Sequence, residues 1–185
     1  MTWLGALWDM LRAAGPPHIA PAPELERTDR LLYGPRPGDV VVYGWHDGRP
    51  GHTGILSEVP GWTDPPPPSV IEARRWVGQG VYGLGRGGRD PRDGTPFDSD
   101  GRCDCSGFVC HALGIDRKHG DAWWNTSAIR ADSLAAGGSW DPVPLYGVDL
   151  RRCRAVHCHG GRPPAVSETS AALWHGRGVV ARWRG

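Results

Sequence analysis

Cys103-Asp104-Cys105-Ser106-Gly107-Phe108-Val109-Cys110 is the stretch on which the reading of this chain turns. Phe108, Val109, Ala112 and Leu113 share one face of a helix, and Gly114 is its natural stop. Asp104 is a favourable N-cap, which puts Cys105 in the first helical turn, where backbone N–H groups point outward and the dipole is positive. That setting favours a thiolate and can receive a developing oxyanion. A half-buried structural cysteine satisfies the same local pattern, so the segment alone defines two readings, nucleophile or core residue.

Length and charge narrow the classes. The chain has 185 residues, enough for one domain with a real core. Its 21 basic and 20 acidic residues leave a net charge of +1, so no electrostatic footprint for nucleic acid or anionic membrane stands out. No run approaches the roughly 20 apolar residues of a membrane span. Ten tryptophans against two phenylalanines mark some Trp as core and any exposed ones as groove-lining candidates. Cys103, Cys105, Cys110, Cys153 and Cys158 make an odd count, compatible with one free reactive thiol.

Two domains of organisation follow. Residues 1–30 read as a short amphipathic helix (Trp3, Leu4, Leu7, Trp8, Leu11) and a proline-rich linker from Pro16 to Pro23. The helix is a candidate surface for a protein partner. It lacks a basic leader and so makes a poor secretory signal. Residues 31–185 form the main domain. Pro37-Gly38-Asp39 feeds the β-branched run Val40-Val41-Val42-Tyr43, and His52-Thr53-Gly54-Ile55-Leu56 returns as the second strand of a hairpin. Val70 to Val77 has helical character, and Gly78 to Gly94 is a glycine-rich loop. It lacks the strand–helix frame and Lys-Ser/Thr ending of a phosphate-binding loop. A second helix opens at Trp123-Trp124-Asn125-Thr126, and strands follow at 154–158 and 178–183. Helices beside a small, mainly antiparallel sheet predict an α+β fold.

A thiolate nucleophile needs a base and a group that orients the base. His52 opens a strand between Gly51 and Gly54, which allow close approach. Here the sequence resembles the NlpC-type cysteine peptidases of the papain-like clan, which cut peptide stems of bacterial peptidoglycan. Three runs carry the resemblance: Asp104-Cys105-Ser106-Gly107-Phe108-Val109; Pro37 to Tyr43 followed by Gly51-His52-Thr53-Gly54-Ile55; and Gly80-Val81-Tyr82-Gly83-Leu84-Gly85. Together they touch most of residues 35–183. The resemblance implies a papain-like sheet packed on the helix that carries the nucleophile, with Cys105 as nucleophile and His52 as base. It implies His157, in Val156-His157-Cys158, as the third residue orienting His52. It also implies Asp104, Ser106 and Tyr82 as substrate-binding residues, although a core-facing role suits Tyr82 equally. No cofactor or metal is implied.

The segment order departs from the family's, because the histidine hairpin precedes the cysteine while the His157 strand stays near the C-terminus. A triad is defined by geometry and not by chain order. The order resembles permuted branches of the clan that act on lipid or acyl groups. In that alternative Val70-Ile71-Glu72-Ala73 is a strand and Glu72 replaces His157. The segment Glu72-Ala73-Arg74-Arg75-Trp76 also suits a helix. A rival from another class is a zinc module built from Cys103, Cys105, Cys153, His157, Cys158 and His159, whose spacing matches no C-x-x-C zinc pattern. The expected partner is a peptidoglycan peptide, reached by delivery through a phage or a secretion apparatus.

Overall fold

Three consecutive valines begin the sheet. Val40–Tyr43 forms β1, and His52–Glu58 returns beside it as β2, antiparallel, with Val42 opposite Thr53 and Tyr43 opposite His52. The computed structural model describes residues 33–43, 51–119 and 122–185. The expected N-terminal helix, the proline linker and the boundary near residue 30 lie outside the described residues, as does most of the hairpin loop. Gly38 enters β1 at a φ of +94°, a left-handed value that glycine adopts without strain, and its N–H donates to Leu56 O at 2.8 Å.

After the hairpin come α1 (Pro68–Arg75), β3 (Val81–Tyr82) and β4 (Arg102–Cys103), then α2 (Cys105–Ala112). A minor hairpin, β5 (Lys118–His119) and β6 (Ala122–Trp123), leads to α3 (Thr126–Leu134) and β7 (Trp140–Val143). β8 (Arg154–Cys158), β9 (Val166–Ser170) and β10 (Val179–Trp183) complete the chain. Six strands form one antiparallel sheet in the order β7-β10-β1-β2-β8-β9. The architecture is α+β: this sheet with three helices.

The sheet is buried on both faces, which is why β1 is a continuous apolar run and not an alternating one. Val40, Val42, Ile55, Val156 and Ala181 face α1, α2 and α3, meeting Val70, Ala73, Phe108, Val109 and Ile129. Val41, Leu56, Ala155 and Val180 face the other way, onto Leu150, Cys153, Ala171 and Trp174 from two short 3-10 turns. Each fully buried valine contributes about 1.5–3 kcal/mol relative to exposure. The tryptophan excess has a local use: Trp124, Trp140 and Trp183 meet edge to face, at centroid separations of 5.0 to 6.1 Å, over the β7–β10 end of the sheet.

The hairpin, the helix at Val70 to Val77, the cysteine helix and the strands at 154–158 and 178–183 all match the sequence expectation. β7 and β9 do not, and both are edge strands. β7 contains Pro142, which has no N–H for a ladder and is tolerated only where one side is unpaired. β9, Val166-Ser167-Glu168-Thr169-Ser170, is polar and half exposed. Neither presents the apolar pattern that marks a central strand.

Candidate active site

Asp104 caps α2 as its sequence requires, but it does more than cap. One carboxylate oxygen accepts from the Gly107 N–H (2.7 Å) and the Ser106 hydroxyl (3.1 Å). The other accepts from the Gly85 N–H (2.7 Å) and the Arg117 guanidinium (2.6 Å). Arg117, itself buried, also donates to the carbonyls of Arg86 and Gly87 and to Ser106 Oγ. The glycine-rich loop is thereby fastened across the start of α2. Gly88, at a φ of +58°, lies so close to Gly107 that any Cβ there would strike the Gly107 carbonyl. With four internal donors, Asp104 has no open position for a substrate amine, and the Ser106 hydroxyl is likewise engaged. Their part in the site is to hold the loop on the helix. Arg117 escaped the sequence reading, because a lone arginine gives no local signal of its partner.

Cys105 is the first residue of α2 and almost fully buried. The Thr53 backbone N–H is directed at its sulfur, and so is the Ser106 N–H. The Thr53 amide is free to do this for a simple reason. Leu56 donates to Asp39 O, so the even-numbered amides of β2 serve β1 and the odd-numbered ones face β8. The ladder with β8 runs from Glu58 to Ile55 and stops there. Burial, then the neighbouring Asp104 charge, push the thiol up to about 12, while the two amides pull it down. Tyr82 is carried by β3, which pairs in parallel with β4 just ahead of the helix, Tyr82 beside Cys103. Its phenol is held well above its ordinary value, first by burial and then by the Cys105 sulfur that it faces.

His52 and His157 do meet. His52 Nε2 lies 2.8 Å from His157 Nδ1. The His52 ring stacks on Trp174 with centroids 5.3 Å apart and planes 15° apart, and the Trp174 indole N–H reaches the His52 carbonyl at 3.4 Å. Gly54, between them on the same face, has no room for a side chain: a Cβ would sit 3.0 Å from the His157 Cβ and 3.2 Å from Trp174. Burial, then the positive potential of neighbouring histidines, lowers His52 to about 3 and His157 to about 4, so both rings are neutral at physiological pH. Trp174 was not singled out in the sequence beyond the general tryptophan excess.

The site thus has two halves. The histidine pair lies on the Trp174 face of the sheet, while α2 packs on the opposite face. They converge at the start of β2, where the peptide joining His52 to Thr53 points its N–H at the Cys105 sulfur. Among the described residues no hydrogen bond joins the thiol to His52 itself. Glu72 stands elsewhere, on α1, accepting from the Trp76 indole at 2.7 Å and contacting His111 at 3.3 Å. The zinc ligand set is divided too: Cys153 belongs to the core of one sheet face, and Cys103 and Cys158 to that of the other. Among the described residues no group of three or more His, Cys, Asp or Glu is placed to hold a metal ion, and all five cysteines are free and buried. No described helix is long and apolar enough to cross a membrane. Comparison with protein-family models, with curated proteins and with solved structures gives no match.

Proposed function

We propose that this chain is a papain-like cysteine peptidase of the NlpC type, with its histidine hairpin ahead of its cysteine, and that it hydrolyses peptide stems of bacterial peptidoglycan. The observation that carries the proposal is the junction at β2. The Cys105 sulfur rests against the Thr53 N–H, and the preceding residue, His52, is held from behind by His157. The motifs of the hairpin, the Tyr82 segment and the cysteine helix supply the substrate class.

In this reading His52 Nδ1 takes the thiol proton as Cys105 Sγ attacks the scissile carbonyl, forming a C–S bond. The mechanism requires a thiol–imidazole contact that the resting structure lacks and that substrate binding would have to bring about. In the first turn of α2 the Gly107 amide is spent on Asp104 and the Ser106 amide on the Cys105 sulfur, leaving the Cys105 N–H to receive the oxyanion. Collapse breaks the C–N bond, and the leaving amine takes the proton back from His52. Water, deprotonated by His52, then cleaves the thioester and restores the thiol. Tyr82 lines the substrate side of the sulfur. The permuted acyl-directed alternative, with Glu72 as third residue, draws no support from a carboxylate held by Trp76 and His111.

Incubating the protein with defined cell-wall fragments and weighing the products tests the proposal. Hydrolysis of one stem-peptide bond, with uptake of one water, is expected. Fragments returned intact, or cut in the glycan strand, would overturn it.

A further inference from the structure

The chain of hydrogen bonds that begins at His52 does not end at His157. His157 Nε2 lies 2.9 Å from Thr169 Oγ1 on β9, and 3.5 Å from Ser167 Oγ, the latter at the limit of a hydrogen bond. Thr169 was invisible as a site residue in the sequence, since β9 is a polar edge strand. Its register, with His157 opposite Ser167 and Ala155 opposite Thr169, brings its hydroxyl diagonally under the imidazole.

A neutral imidazole has one donor nitrogen and one acceptor nitrogen. The chain His52–His157–Thr169 therefore has two possible polarities. In one, the Thr169 hydroxyl donates to His157 Nε2, His157 Nδ1–H donates to His52 Nε2, and His52 carries its proton on Nδ1. A base in that state has no lone pair to offer a thiol. In the other, His157 Nε2–H donates to Thr169 Oγ1, His52 Nε2–H donates to His157 Nδ1, and His52 Nδ1 is left bare. A hydroxyl has one hydrogen, and Thr169 Oγ1 has a second acceptor within reach besides His157 Nε2, the Ser170 carbonyl at 3.4 Å. With its hydrogen given to that carbonyl, the Thr169 oxygen accepts from His157 Nε2–H, which is the second polarity. We propose that Thr169 is a positioning residue that fixes the tautomers of both histidines and so keeps His52 Nδ1 unprotonated and ready to accept a proton. The catalytic consequence rests on the peptidase reading, but the tautomer assignment does not.

The two are separated by a pair of measurements on the full chain. Long-range proton–nitrogen correlation of the imidazole rings near pH 7 reads the tautomers directly. Nε2–H is expected on both His52 and His157 in the native protein and in Thr169→Ser and Ser167→Ala. In Thr169→Val, isosteric and at an exposed strand site, the Nδ1–H form should appear on both rings. Turnover of cell-wall fragments by T169V should fall in kcat by about tenfold, the worth of one orienting hydrogen bond, with little change in KM. T169S should restore it. Nδ1–H on His52 in the native protein, or unchanged tautomers in T169V, would overturn the role given to Thr169. The expected tautomers in a protein that cuts no stem peptide would instead leave that role intact and refute the peptidase reading.

Discussion

Cys105 and His52 sit on opposite faces of the sheet, and burial disfavours the charged form of each. Burial holds the thiol up to about 12 and the His52 ring down to about 3, so the proposed mechanism starts from a neutral thiol and a neutral imidazole. Two outcomes follow at this scale. First, protonation of His52 would remove the base, and because its value is lowered, the acid limb of kcat/KM should lie well below the ordinary histidine range near 6.5. A pH–rate profile on a stem peptide checks this, and an acid limb at pH 6 to 7 would mean that His52 is not buried as described. Second, Asp104 and Arg117 form a buried pair at 2.6 Å, and removing one partner strands the other. Asp104→Ala should therefore cost about 3–5 kcal/mol in denaturant unfolding.

The glycine loop and α2 behave as one element. Gly88 and Gly94 share a positive φ, +58° and +68°, but only Gly88 abuts backbone, whereas a Cβ at Gly94 meets open space. Gly94→Ala should cost only its conformational strain, about 1–2 kcal/mol. Gly88→Ala adds a collision with the Gly107 carbonyl and should cost distinctly more, read as the difference between the two melting curves. Contacts of this kind set how far the sequence could be read. The cap at Asp104, the start of α2 at Cys105 and the stop at Gly114 were legible because capping and periodicity are local. The hairpin was legible because three valines and a His-Thr-Gly-Ile run are unmistakably strands. β7 and β9 were not, since edge strands relax the apolar pattern, through Pro142 in one and Ser167 and Thr169 in the other. The roles of Arg117, Trp174 and Thr169 depend on long-range contacts that no local pattern encodes. A substrate role for Asp104 is implied by the family resemblance alone. Its four internal partners come from the glycine loop, α2 and Arg117, and only the fold assembles them.

At the scale of the whole molecule, a sheet buried on both faces lets the two halves of the site come from opposite sides and meet at one strand end. In the peptidase reading this arrangement accommodates a histidine hairpin placed ahead of the cysteine, because β1 and β2 need only sit beside β8 and under α2. It also ties stability to pH. His52 and His157 are neutral when folded, lowered to about 3 and 4, and return to 6.5 when unfolded. Their contribution is complete above pH 6.5 and is lost as pH falls toward 4, because the unfolded chain then binds the protons. Each such proton gives a slope of about 1.4 kcal/mol per pH unit. Unfolding free energies measured between pH 7 and 4 should flatten in His157→Gln relative to the native chain. The proposal that this molecule is a peptidase turns most directly on hydrolysis of a defined peptidoglycan stem peptide by the native chain, Cys105→Ala and His52→Ala, each shown to be folded. The account predicts cleavage by the native protein alone, and near-normal cleavage by C105A would contradict it.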